Sequence, residues 1–187
     1  MPVVRFRPEM ADTLDLSTLK LGMPGLTPSI GAYFAEAAAT CLEEQAHSPG
    51  VWMKLDGDCD HRLKVLWLID GNRNQRMRAW GDPDVATEQG AYGIAALIVA
   101  TLSEYTILER SRKGTGFDYW LGKKDSVMPL FQDKARLEVS GMRRGDDRAV
   151  EARVRAKERQ VRPSDARLPI LVAVIEFGSP RTRVRSR

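Results

Sequence analysis

The chain has 187 residues, of which 43% are hydrophobic, enough for one large domain with a real core. Its two cysteines, Cys41 and Cys59, are too few for a disulfide framework, so a reducing, cytoplasmic location is expected. No stretch reaches the length of a membrane span. The longest nearly apolar run, residues 91–102, is more typical of a buried helix, and we expect no membrane association.

The formal net charge of +4 is unevenly distributed along the chain. Residues 136–187 carry 14 Lys or Arg against 7 Asp or Glu, whereas the preceding residues carry more acids than bases. A basic C-terminal third favours a polyanionic partner such as nucleic acid. A solvated helix face followed by a flexible basic tail explains the same charges equally well.

The first part of the chain predicts one helix and a β-hairpin. Thr27 is a suitable N-cap and Pro28 suits the first helical position, and apolar residues then recur at helical spacing to about Gln45. Residues 51–55 and 63–69 are predicted strands separated by a polar turn.

The second part of the chain predicts the order helix, three strands, helix, strand. In chain order these elements are a helix over 84–102, a strand at 106–110, strands around Asp118 and Glu138, a helix over 146–161 and a strand at 169–177. The last strand is almost continuously apolar, which is typical of a central strand covered on both faces. We therefore predict a mixed α/β fold with a central mixed β-sheet flanked by helices.

The predicted organisation has three parts. Residues 1–80 form an N-terminal helix and hairpin extension, residues 84–178 form the core, and residues 179–187 form a basic C-terminal tail. The tail is predicted because Gly178 and Pro180 end the last apolar strand. The residues that follow are rich in arginine: Arg181, Arg183, Arg185 and Arg187.

Two acids, Asp118 and Glu138, lie within apolar strand-like segments. Burying an unpaired charge is costly, so such acids should be solvated, paired or bound to a cation. On adjacent strands they could converge on one divalent ion such as Mg²⁺. Alternatively, Asp118 caps a turn at an edge strand and Glu138 pairs at the surface with Arg136 or Arg153.

The order of elements, with Asp118 on the second strand and Glu138 on the third, resembles the PD-(D/E)XK or restriction-endonuclease-like superfamily. The resemblance covers roughly residues 84–178 and implies an αβββαβ core. It also implies that both acids are catalytic and bind Mg²⁺ or Mn²⁺, which positions and activates water for attack on a phosphodiester.

The match to this family is incomplete at its lysine. Members carry that lysine two residues beyond the second acid, but Ser140 occupies the position here, and a hydroxyl supplies no positive charge. In some members the basic residue lies on the neighbouring helix, where Lys157 is the catalytic candidate, and Arg136 is a weaker one. Glu88 could match a glutamate found on the first core helix, although the helix dipole alone also explains an acid there.

The resemblance implies a nuclease-like protein that binds nucleic acid, in a setting such as restriction or mobile-element defence. The residues predicted to contact nucleic acid are Arg143, Arg144, Arg153 and Gln160. The default alternative for such charged helical residues is solvent exposure without a partner. The alternative function is a non-catalytic scaffold that binds a partner protein or nucleic acid, with Trp52 and Trp67 at a dimer or partner surface.

Overall fold

A computed structural model describes residues 4–7, 9, 11–124, 134–161 and 168–187. The strands are β1 (Thr13–Asp15), β2 (Val51–Gly57), β3 (His61–Leu66), β4 (Tyr105–Arg110), β5 (Tyr119–Lys123), β6 (Ala135–Met142), β7 (Ile170–Glu176) and β8 (Arg181–Ser186). The α-helices are α1 (Pro28–Glu44), α2 (Arg73–Ala79), α3 (Pro83–Leu102) and α4 (Asp147–Gln160), and a 3₁₀ helix spans Leu16–Leu21. The predicted mixed α/β class is confirmed.

All eight strands form one curled mixed sheet, a half-barrel, in the order β1-β3-β2-β8-β7-β6-β5-β4. Strands β6 and β7 are parallel, while β7 pairs antiparallel with β8 on its other side. Strand β7 is buried along its whole length, as its apolar sequence predicts.

The predicted basic tail is wrong, because residues 181–186 form the central strand β8. Thr182 and Val184 point into the core and are fully buried, while the arginines between them point to the other face. This alternation has the period of two residues that a half-buried strand requires. Strand β8 also pairs with β2, so the sheet runs without interruption from the N-terminal hairpin into the predicted core.

Helices cover both faces of the sheet around β6 and β7. Helices α1 and α3 pack on one face, and Gly90 of α3 allows close approach because a Cβ there would lie 2.9 Å from the Cα of Ala38. On the other face, Val150 and Val154 of α4 pack against Val172 and Val174 of β7. The two helical layers therefore leave β6 between α3 and α4.

Helix α3 contains the apolar run noted in the sequence. Its length and composition alone would suffice for a membrane span, but 72% of its most apolar window is buried inside the fold. Core helices of globular proteins have the same properties.

The two tryptophans of the N-terminal hairpin region lie in different environments. Trp67 is buried, and its Nε1 donates to Glu43 Oε1 at 3.0 Å. It is therefore unavailable for the partner surface expected from the sequence. Trp52 is 47% exposed and points away from the core.

Candidate active site

The site lies where β5 and β6 separate. Among the residues that the structure describes, the two strands pair at three positions, ending at Tyr119 opposite Leu137. Strand β6 continues beside β7 to Met142, so residues 138–142 have lost their partner on the β5 side. Asp118 directly precedes β5 and enters this gap.

Four hydrogen bonds hold Asp118 in place, and one of them runs from the Ser111 N–H to the Asp118 carbonyl at 2.8 Å. Its main-chain N–H donates to the Leu137 carbonyl at 2.8 Å. Its Oδ2 accepts from the Val139 N–H at 2.8 Å, and its Oδ1 accepts from the Tyr92 hydroxyl at 3.0 Å. The carboxylate thus takes over the hydrogen bond that a continued β5 strand would have made to Val139.

Glu138 is 2% exposed and is paired with a lysine from α4. The Lys157 Nζ donates to Glu138 Oε1 at 2.7 Å. The parallel register of β6 and β7 places Glu138 opposite Val172, which packs under α4, so Glu138 points to the α4 side of the sheet. Neither Arg136 nor Arg153 makes this ion pair; Arg136 instead donates to the Leu168 carbonyl.

Asp118 and Glu138 influence each other electrostatically. Burial raises the pKa of Glu138 to about 7; Lys157 opposes this rise, and the negative charge of Asp118 adds to it. Two neighbouring carboxylates repel each other when both are ionised, and a cation between them relieves that repulsion. Both carboxylates line the same cleft, so they are not separated by the sheet.

Glu88 and Tyr92 reach the site because α3 approaches β6 closely. A Cβ on Gly141 would lie 2.4 Å from the Thr87 carbonyl oxygen, so only glycine fits at this contact. The Tyr92 hydroxyl lies 2.9 Å from Glu88 Oε1 and also contacts Asp118. One hydroxyl proton serves one acceptor at a time, so Tyr92 links the two carboxylates in one network.

Burial raises the pKa of Tyr92, and the charges of Asp118 and Glu88 raise it further. This tyrosine was not predicted from the sequence. Its position four residues after Glu88 places both side chains on one helix face, which is the signal that could have indicated it.

A cleft of about 1250 Å³ surrounds these residues. All eight residues predicted from the sequence line it: Glu88, Asp118, Glu138, Arg143, Arg144, Arg153, Lys157 and Gln160. The turn between β4 and β5 adds Arg112 and Lys113, and the end of β4 adds Arg110, none of which was predicted. Among the described residues, seven Lys or Arg and four Asp or Glu line the cleft, so this part of its wall is predominantly positive.

The four residues predicted to contact nucleic acid differ in how they are held. Arg143 lies 2.8 Å from Glu44 Oε2, and the Arg144 Nε donates to Gln45 Oε1 at 2.6 Å, so both are tied to the end of α1. Arg153 and Gln160 are exposed on α4. Arg143 and Arg144 are therefore anchored on one side of the cleft, whereas Arg153 extends from α4 on the other side.

The C-terminal arginines do not contribute to this cleft. Arg183 donates to both Asp56 and Glu151, and Arg187 lies 3.2 Å from Glu158. Arg181 pairs with Asp147. Much of the C-terminal positive charge is thus used in ion pairs between β8, α4 and β2, and it is not free for a polyanion.

Asp118 and Glu138 offer carboxylate oxygens to a divalent ion at this cleft. Within the described ranges, no three His, Cys, Asp or Glu side chains are arranged as a metal-binding group. Magnesium in phosphoryl-transfer sites is commonly held by one or two carboxylates and retains several waters. The two acids, beside a cleft open to solvent, fit that kind of site.

Comparisons with protein-family models, with curated proteins and with solved structures give no match to this chain. The chemistry of the site must therefore be inferred from its own residues and their geometry.

Proposed function

We propose that this chain is a nucleic-acid-binding protein with a restriction-endonuclease-like core that hydrolyses phosphodiesters at the cleft between β5 and β6. The observation that supports this most directly is the 2.7 Å contact between Lys157 and Glu138, next to Asp118. It brings a lysine to the second acid even though Ser140 occupies the usual lysine position.

Asp118 and Glu138 would hold Mg²⁺ or Mn²⁺ in this function. When bound, the ion supplies Lewis-acid polarisation of the phosphate and lowers the pKa of a coordinated water. Tyr92 and the Val139 N–H orient the Asp118 carboxylate, and outer partners of this kind affect metal affinity strongly. Glu88 lies one hydrogen bond further away and helps to orient Tyr92.

Lys157 would neutralise negative charge that develops on the phosphate. Its ammonium is partly exposed, with 21% of the side chain accessible, while its Glu138 partner is almost completely buried. From this position on the cleft wall, the Lys157 ammonium would donate to a phosphate oxygen of a bound nucleic acid. Positioned charges of this kind usually make the largest contribution to such reactions.

A polymeric nucleic acid suits the size and charge of the cleft. Its volume exceeds the roughly 300–1,000 Å³ typical of small-molecule sites. Arg112, Lys113 and Arg153 on its walls are suited to contact successive phosphates, and such contacts make binding strongly dependent on salt.

The test is metal-dependent cleavage of labelled DNA and RNA by the parent chain and by Asp118→Ala, Glu138→Ala and Lys157→Ala. Asp70→Ala is a matched control, because that carboxylate is 90% exposed and pairs with Lys20 at the surface. We expect cleavage by the parent and the control, and a loss of at least about 100-fold in each site variant. If the parent and the site variants cleave equally, the activity belongs to another site or to a contaminant.

The alternative is the non-catalytic scaffold, which Ser140 favours. It predicts salt-dependent binding of nucleic acid or a partner protein without cleavage under any divalent metal. In that case Lys157→Ala and Glu138→Ala would change binding or stability, while no cleavage would be detected in the parent.

A further inference from the structure

A second positively charged surface lies on the outer face of the hairpin formed by β2 and β3. It consists of Trp52, Lys54, Arg62 and Lys64, and we call it the Trp52 face. The antiparallel register pairs Trp52 with Lys64 and Lys54 with Arg62, so the four side chains lie side by side. The residues between them point into the core and are buried.

Trp52 forms the centre of this face. The Lys64 Nζ lies 5.1 Å from the ring centroid of Trp52, and the Arg62 Cζ lies 6.0 Å from it. Even with both cations against it, Trp52 remains 47% exposed. An exposed indole between two cations can stack on a planar aromatic ligand that carries negative charge nearby.

The charges of the Trp52 face are only weakly neutralised. Asp56 lies 3.7 Å from Lys54, but its carboxylate already accepts two hydrogen bonds from Arg183. Within the part of the chain that the structure describes, neither Arg62 nor Lys64 takes part in a salt bridge. Both are exposed, so the face retains positive charge for a partner.

We infer that the Trp52 face binds single-stranded nucleic acid, with a base stacked on Trp52 and phosphates at Lys54, Arg62 and Lys64. Alternation of cations with an exposed aromatic ring is the arrangement that tracks a single strand without reading its sequence. Among the described residues of β2 and β3, Trp52 is the only exposed large hydrophobic side chain. Insertion into a membrane surface needs a broader apolar face, so the composition of the Trp52 face favours nucleic acid over lipid.

This face shares no residue with the cleft, and it does not depend on the cleft being catalytic. Helix α4 lies on the same side of the sheet, packed on β7, between the hairpin and the cleft. Nucleic acid bound at the Trp52 face therefore makes a contact separate from the cleft. A variant can lose binding at one of the two sites and keep it at the other.

The experiment measures fluorescence anisotropy of labelled 12-nucleotide oligo-dT and oligo-U with full-length protein. The variants are Trp52→Ala, Trp52→Phe and the double variant Arg62→Ala with Lys64→Ala. The controls are Tyr33→Ala, which removes another half-exposed aromatic, and Arg78→Ala, which removes an exposed arginine on α2. Circular dichroism melts verify that each variant is folded.

We expect Trp52→Ala to weaken binding about fivefold or more, with Trp52→Phe closer to the parent, because stacking needs only an aromatic ring. The double variant should also reduce the slope of log affinity against log salt by about 1.4, or about 0.7 per lost phosphate contact. The controls should leave affinity and slope unchanged.

Equal oligonucleotide affinity for the parent and the Trp52 face variants would overturn the inference, as would an absence of binding by the parent. Parallel titrations with poly-glutamate and with phosphatidylserine vesicles test other anionic partners. If the Trp52 face variants lose only those interactions, the face binds an acidic protein or a lipid surface and the inference is wrong. Cleavage measured on the same variants reports on the cleft separately, since the Trp52 face variants leave its residues intact.

Discussion

The Lys157 Nζ donates to Glu138 Oε1 at 2.7 Å, from a helix to a strand 19 residues earlier. Ser140, two residues beyond Glu138, points to the same side of β6 and is nearly buried. A lysine from α4 thus reaches the acid whose own strand lacks one. The proposed cleavage of phosphodiesters depends on this contact, because it supplies the positive charge beside the two acids.

Cleavage should depend strongly on Lys157, and another positively charged side chain should substitute for it in part. Replacing it with alanine should lower the single-turnover rate by roughly 100-fold or more, because a positioned positive charge is lost. Lys157→Arg should retain more activity, since it keeps the charge. Adding Ser140→Lys to Lys157→Ala should recover part of the rate, because residue 140 points to the same side of the strand as Glu138. No loss of rate on removing Lys157 would rule out its proposed role.

Mg²⁺ should stabilise the folded protein through Asp118 and Glu138. A ligand at 100 times its dissociation constant adds about 2.7 kcal/mol, which for a chain of this size is roughly 5–10 °C in melting temperature. We expect this shift in the parent and in Asp70→Asn, and its absence in Asp118→Asn and Glu138→Gln. Differential scanning calorimetry with Mg²⁺ and with EDTA measures it, and an equal shift in all four proteins would place the ion elsewhere.

Tyr92→Phe should weaken Mg²⁺ binding without unfolding the protein. The ring and its packing remain, but Asp118 loses the hydroxyl contact at 3.0 Å. Loss of an outer partner of a metal ligand typically costs 10- to 100-fold in affinity, so a shift of about 10-fold is expected by calorimetric titration. Tyr33→Phe, at an exposed position on α1, is the control. Unchanged affinity in Tyr92→Phe would mean that Asp118 needs no such support.

Asp56 should make the protein sensitive to acid. Burial opposes ionisation of Asp56, but the hydrogen bonds and charge of Arg183 outweigh it, so the pKa lies below its ordinary value of 3.8. The ionised Asp56 carboxylate therefore stabilises the folded state. This contribution is fully present above pH 3.8 and is lost as the pH falls through the lower pKa that Asp56 has in the folded state.

Urea unfolding of Asp56→Asn at pH 7, 5 and 3 measures this effect. The variant should be less stable than the parent at pH 7, and the difference should narrow at pH 3. Asp60→Asn, an exposed residue of the adjoining turn, should not show this trend. A difference between Asp56→Asn and parent that stays constant with pH would contradict the assignment.

Local patterns in the sequence predicted the elements around the cleft well. Thr27 caps α1, with Pro28 as its first residue, and Asp146 caps α4. Such features can be predicted because capping and apolar spacing involve residues that are close together in the chain. Asp118 was placed within a strand, whereas it lies one residue before β5. That offset matters, because it places the carboxylate in the gap between the strands.

Long-range pairing was less predictable. The alternating arginines of residues 181–187 are compatible with an exposed tail, and only the sheet shows that Thr182 and Val184 are buried between β2 and β7. The arginines on its other face find acids from α4 and β2, which are far away in the chain. The Tyr92 contact to Asp118 likewise depends on the packing of α3 against β6, which local patterns do not specify.

Anomalous scattering from a crystal of the protein soaked in Mn²⁺ shows whether Asp118 and Glu138 share a divalent ion. We expect an anomalous peak between the carboxylates of Asp118 and Glu138, and no such peak in crystals of Glu138→Gln. A parent crystal with no peak in this cleft, while Mn²⁺ occupies some other surface, would contradict this expectation.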